Sequence, residues 1–260
     1  MTITILTLYN VKVNSFSIIV NATRQDSNYA VYFGGGSLLE TTYPIAMEIA
    51  GSTALWTRPD SGDCPTSYPA PTYSAVKGIF ESVLWGPAVD VIPTKVEICK
   101  PVQYHSYVTN YGGPLRSGKA CANGSNYQLL ATVLIDVCYK LYADVKPNRD
   151  KHLLPEEALQ WDAKTTSPGH AYQAMFNRRI KRGQCYSIPK LGWNEFTPAY
   201  FGPLREDTRV MDSMKDIDIP SMLRMVFGEG YNSPVAFLYD QEVVISNGCL
   251  IYTKEEGNDQ

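Results

Sequence analysis

The segment HAYQAMFNRRIKRGQC, residues 170–185, gathers a histidine, a tyrosine and four cations, Arg178, Arg179, Lys181 and Arg182, into one stretch of helical spacing that ends in glycine. Guanidinium groups match phosphate oxygens bidentately, and an imidazole beside a phenol could carry a proton. Tyr172, Met175, Phe176 and Ile180 recur on one apolar face, and Gly183 fits the position just beyond a helix end. Cations in a last turn also gain about 0.3–1 kcal/mol each from the helix dipole. Two readings therefore stand side by side, a polyanion site and a capped helix with a solvated basic end.

Other chemistries have less to stand on. The histidines His105, His152 and His170 are far apart and lack the spacing that sets two ligands on one helical face. The six cysteines, Cys64, Cys99, Cys121, Cys138, Cys185 and Cys249, form no C-x-x-C pair, so no metal site is expected. A G-x-S-x-G nucleophile elbow is absent. Gly34–Gly36 is not followed by Lys-Ser/Thr and is no phosphate loop. A Cys185–His170 thiol pair has only proximity in sequence behind it.

The basic stretch must be positioned by the elements around it. In SYPAPTYSAVKGIFESVLW, Thr72 is an N-cap residue and Val76, Ile79, Phe80 and Val83 mark a helix with one buried face. A strand is expected around Thr94–Cys99, and YQLLATVLIDVCYKLYADV, rich in β-branched residues and Tyr, reads as a second, buried strand. Between them lies a Gly-rich loop or hairpin that carries Arg116 and Lys119. Residues 146–169 form a charged connector with a helical turn at Pro155–Leu159. Near the end, Asn247-Gly248 between two apolar runs signals a hairpin. At the start, VKVNSFSIIVNATR and YAVYF alternate like strands, and MEIAGSTALWTRPD opens a further strand-like run at Met47. Residues 1–46 read either as an extra hairpin or as an appended leader. The sum is an α+β chain with one main sheet and a β-rich tail.

Composition sets the outer limits. At 260 residues, 44% hydrophobic and 19% charged, the chain is a folded protein, and its aromatic share leans on 18 tyrosines. A net charge of −3 excludes nonspecific coating of nucleic acid and leaves only local contacts with it. No apolar run is long enough to span a membrane and the first residues lack a charged leader. A cytoplasmic protein with reduced thiols and no membrane partner is expected.

Three stretches, SYPAPTYSAVKGIFESVLW, FNRRIKRGQCYSIPKLGWNEFTPAYF and DIPSMLRMVFGEGYNSPVAFLYDQEVVISNGCLIY, resemble in order and spacing the CRISPR-associated Cas family five of the type I-C (Dvulg) subtype. The likeness runs from about Met47 to about Tyr252. It implies a ferredoxin-like, RRM-related domain over 47–205, with a protruding hairpin, and a small β-rich C-terminal part over 206–260; residues 1–46 become an addition. It further implies a subunit that grips the 5′ handle of CRISPR RNA and caps the Cascade surveillance complex beside its backbone and large subunits, meeting target DNA only through that complex. Lys77, Arg116, Lys119, Arg178, Arg179, Lys181 and Arg182 are the expected RNA contacts, and no cofactor is expected. Many type I-C members also cut precursor RNA without metal, using a tyrosine in the motif matching ESVLW and a Lys-His pair before the basic helix. Aligned without gaps from Gly183 backwards, those positions fall on Leu84, Ala171 and Tyr172. None keeps its residue type. His170 and Tyr172, or the pair Lys151-His152, are then the groups left for catalysis. RNA binding is the leading expectation, and a metal-independent precursor RNA endoribonuclease the alternative.

Overall fold

The computed structural model describes residues 8–13, 16–21, 42–111, 127–148, 155–164, 167–227 and 235–252. Arg116, Lys119, Lys151, His152 and the YAVYF run lie outside them. The chain divides into two units, Met1–Tyr43 and Pro44–Gln260. In the first, β1 (Leu8–Val13) pairs antiparallel with β2 (Phe16–Asn21), in register from Leu8↔Asn21 to Val13↔Phe16. The stretch expected as one strand is thus the two arms of a ladder; the polar pair Asn14-Ser15 interrupts its apolar alternation.

The second unit is built on an eight-stranded sheet. Its elements are β3 (Tyr43–Ala54), α1 (Tyr73–Val83), β4 (Val89–Ile98), β5 (Tyr104–Tyr111), β6 (Tyr127–Pro147), α2 (Glu156–Lys164), α3 (Pro168–Lys181), β7 (Tyr200–Gly202), β8 (Ile217–Phe227), β9 (Val235–Ser246) and β10 (Cys249–Ile251). The strands run in the order β7-β3-β6-β4-β10-β9-β8, and β5 pairs with β6 from Tyr104↔Leu134 to Tyr111↔Tyr127. The α+β expectation holds. So do the two strands and the hairpin turn, where Asn247 (φ 49°) and Gly248 (φ 72°) take the left-handed backbone of a two-residue connection. The strand expected at Met47 starts earlier, at Tyr43, and α2 extends the expected single turn to nine residues.

The helices follow from their patterns. Thr72 accepts the Ala75 N–H at 3.3 Å through its hydroxyl, and Tyr73, Val76, Ile79, Phe80 and Val83 are the buried face of α1. In α3, Pro168 fills the first turn and Tyr172, Phe176 and Ile180 are buried, with Gly183 at φ 62° just past the end. The two helices meet where Phe80 and Phe176 pack with ring centroids 5.5 Å apart. The loop after α3 docks on β3: Leu55 N–H donates to Leu191 O at 2.9 Å. Gly192, at φ 104°, sits so close that a Cβ there would lie 2.0 Å from Leu55 O.

The sheet holds a fully buried carboxylate. Glu48, 0% exposed, takes two hydrogen bonds from the Arg205 guanidinium at 2.8 and 2.5 Å, one from the Arg205 N–H at 2.8 Å and one from Thr208 Oγ1 at 2.9 Å. Burial pushes this carboxyl upward, but these donors outweigh it and hold it below its ordinary value. The contact ties the segment after β7 to β3.

Candidate nucleic-acid interface

The basic helix and the end of α1 form one structural unit. A helix leaves its last carbonyls without internal donors, and here the chain supplies them from far away. Ser82 O accepts the N–H groups of Tyr186 and Ser187, both at 2.9 Å. Val83 O accepts Arg179 Nη1 at 2.9 Å and the Tyr186 N–H at 3.2 Å. Leu84 O accepts the Tyr172 hydroxyl. Leu84 itself has turned into extended backbone, at φ −150° and ψ 115°. So α3 and the loop behind it cap α1, with Tyr172 and Arg179 as the side-chain clamps.

This decides what several expected site residues do. Tyr172 is 2% exposed, and both burial and the nearby Glu81 charge push its phenol far above the ordinary range. A hydroxyl committed to a carbonyl and sealed from solvent is placed as a clamp, a geometry that weighs against the expected role of Tyr172 as a base. Arg179 has a capping bond, a structural use that the sequence did not reveal. Lys77 Nζ is paired with Asp90 Oδ1 at 2.6 Å. Arg178, Lys181 and Arg182 are exposed, and among the described residues they form no ion pair. His170 is exposed in the first turn of α3; five residues before Met175, it lies about 140° away around the helix.

The resemblance placed a processing site on Leu84, Ala171 and Tyr172, and the fold does bring Leu84 and Tyr172 into contact across 88 positions of sequence. What they enclose is apolar. A pocket of about 180 Å³ is lined by Leu84, Trp85, Pro87, Val89, Tyr172 and Met175, among others. Neither Leu84 nor Ala171 has a group that moves a proton at neutral pH. Among the described residues, no three of His, Cys, Asp and Glu gather in a way that could hold a metal.

Three residues of this region escaped the sequence reading. Trp85, one position past the cap of α1, forms a wall of the pocket and is 58% exposed. Tyr186, whose N–H caps the same helix, is 84% exposed. Glu81, one turn earlier on α1, has its carboxyl raised by burial against the lesser pull of Lys77. The only signal for Trp85 was an aromatic residue where the apolar spacing of α1 had already ended.

Comparison with known proteins adds a second line. The sequence profile described as "CRISPR-associated protein (Cas_Cas5)", of the Cas5d type, matches residues 45–243. A protein of Mannheimia succiniciproducens named "CRISPR pre-crRNA endoribonuclease Cas5d" is 28% identical over 213 residues, covering 74% of this chain and 89% of the relative. Its namesake in Thermus thermophilus is 29% identical over 180 residues, covering 69% and 71%. A crystal structure described as a CRISPR-associated protein superposes with a TM-score of 0.60 at 20% identity, over 84% of this chain and 96% of that one, a likeness of fold.

Proposed function

Because the chain belongs to the CRISPR-associated Cas5 family, of the Cas5d type, we propose that it binds the 5′ handle of CRISPR RNA as a subunit of a type I-C-like Cascade complex. The observation that carries this is the end of α3, where Arg178, Lys181 and Arg182 stand exposed beside the clamped end of α1. Their charge is local in a protein of net charge −3, as a subunit needs if it holds one phosphate stretch and leaves the rest of the RNA to its neighbours. Lys77 joins them only by leaving Asp90, and Arg179 only by releasing Val83 O. Arg116 and Lys119 complete the proposed set of contacts. Backbone and large subunits are the proposed protein partners, and target DNA is met through the assembled complex.

The fold reading is of the same kind. Within the larger sheet, β3, α1, β4, β6, α3 and β7 follow one another as βαββαβ, with strands ordered β7-β3-β6-β4. That order supports a ferredoxin-like core to which the β5–β6 ladder and the strands β8–β10 are added.

The test is a titration of repeat RNA at several salt concentrations. Exchanging Arg178 and Arg182 together for Glu is expected to weaken binding at least about tenfold and to flatten the salt dependence by about two counterions. Unchanged affinity and slope would remove the helix from the interface.

A second reading, precursor RNA cleavage, is favoured by the names of both relatives. Metal-free cleavage needs a group that takes the proton of the attacking 2′-hydroxyl and one that assists the departing 5′-oxygen. Leu84 and Ala171 supply neither, and Tyr172 is engaged. His170 and the Lys151-His152 pair are the remaining candidates. Incubation with repeat RNA in EDTA separates the readings: binding without a product ending in a 2′,3′-cyclic phosphate supports the first, and a discrete cut lost in His170→Ala supports the second.

A further inference from the structure

The apolar pocket at the end of α1 serves neither the clamp nor the cations. One of its lining residues, Trp85, stands 58% exposed, and Tyr186, 84% exposed, is held by its N–H on the same helix end; large aromatic rings left in solvent beside a pocket mark a surface built to be covered. Two kinds of group border it. On one side are flat rings and aliphatic walls: Leu84, Val89 and Met175 inside, and Trp85 at the rim. On the other, Met175 leads along α3 to Arg178 and Arg182, three and seven residues on, the spacing of neighbours along a helical stripe. No carboxylate lines the pocket.

We propose that this pocket is a base slot, taking one unpaired nucleobase of a single-stranded RNA against Trp85 while the adjoining phosphates lie on Arg178 and Arg182. The proposal rests on the RNA-binding reading above and adds to it a site for a base. Its chemistry favours a nucleotide over a lipid tail or a free anion, since the apolar space is small, about 180 Å³, while cations follow its lining residue Met175 along α3. The walls present few polar groups, so the slot holds any base by its face and discriminates little between sequences. Tyr186, fixed by its own N–H on Ser82 and Val83, offers a second face for the neighbouring base. The space that the resemblance assigns to proton transfer is thereby used for stacking.

Two probes of equal charge test this: a short single-stranded oligouridylate and the same backbone with abasic sugars. Wild-type protein is expected to bind the base-bearing probe about tenfold more tightly, and its tryptophan fluorescence to be quenched by that probe. Trp85→Ala should bring the ratio of the two affinities close to one, whereas Trp85→Phe, which keeps a ring, should preserve most of it and lose the quenching. Trp85 is a surface residue, and a circular dichroism spectrum verifies that each variant is folded. Equal wild-type affinity for both probes overturns the base slot even when Arg178→Ala still weakens both, and leaves the patch to a protein partner. Failure of the wild type to bind either probe removes the slot and the RNA-binding reading together.

Discussion

At the scale of single residues, the clamp on α1 and the carboxyl beside it make separate predictions. Tyr172→Phe deletes only the hydroxyl that Leu84 O accepts; with the carbonyl left buried, the loss should be about 1–2 kcal/mol, read as a lower urea midpoint with an unchanged slope. RNA binding should move little, because that hydroxyl is spent on Leu84 O. Glu81 behaves in the opposite sense. Its folded-state carboxyl is raised above the ordinary value by burial, so the folded chain holds that proton more tightly than the unfolded chain does. Stability linked to Glu81 is therefore greatest below the ordinary carboxyl value and falls as pH rises through the raised one. Glu81→Gln should stabilise the fold at pH 7 by a fraction of a kcal/mol once its partial exposure is allowed for, read as a higher melting temperature, and the gain should close by about pH 4. A gain that persisted in acid would point to helix propensity instead of charge.

At the scale of elements, the parts written into short stretches of sequence were legible. Thr72 with its apolar spacing specifies α1, the β-branched run specifies β6, and Asn247-Gly248 specifies the β9–β10 turn, because each signal and its consequence lie within a few residues. The candidate site was legible only in part. Arg178, Lys181 and Arg182 could be found from their charge, but the engagement of Arg179 and Tyr172 depends on carbonyls 96 and 88 positions away. No local pattern encodes such a contact. The start of β3 at Tyr43 was missed for a similar reason, since a strand end is set by its partners as well as by its own residues. The loop after α3 gives the element-scale test. Gly192→Ala places a methyl 2.0 Å from Leu55 O at a left-handed φ, so about 3 kcal/mol or more should be lost, with looser docking of the loop seen as faster amide exchange at Leu55.

At the scale of the whole molecule, Glu48 gives a dependence on acid. Hydrogen bonds hold its carboxyl below the ordinary value despite burial. Its contribution is thus fully present above the unfolded-state value and disappears as pH falls through the depressed one. Melting curves between pH 7 and pH 3 should show a loss that Glu48→Gln largely removes. Arg205→Ala leaves the buried carboxylate without its main partner; since Arg205 is itself 40% exposed at the side chain, water can reach part of the site, and about 2–3 kcal/mol is expected, at the low end for a broken buried pair.

The sheet order has a consequence for how the chain is made. The three residues of β10 lie between β4 and β9 and are hydrogen-bonded to both. Ile98 N–H reaches Gly248 O at 2.7 Å, and Tyr252 N–H reaches Thr94 O at 3.0 Å. During synthesis, β3, β4 and β6 can pair long before this strand exists, but the β8–β9 ladder has no strand to join until Cys249–Ile251 has left the ribosome. Until then the edge of β4 is an open template for a foreign strand. A nascent chain halted before Cys249 should therefore be captured by chaperones and cut by protease within β8 and β9, and one released past Tyr252 should resist both.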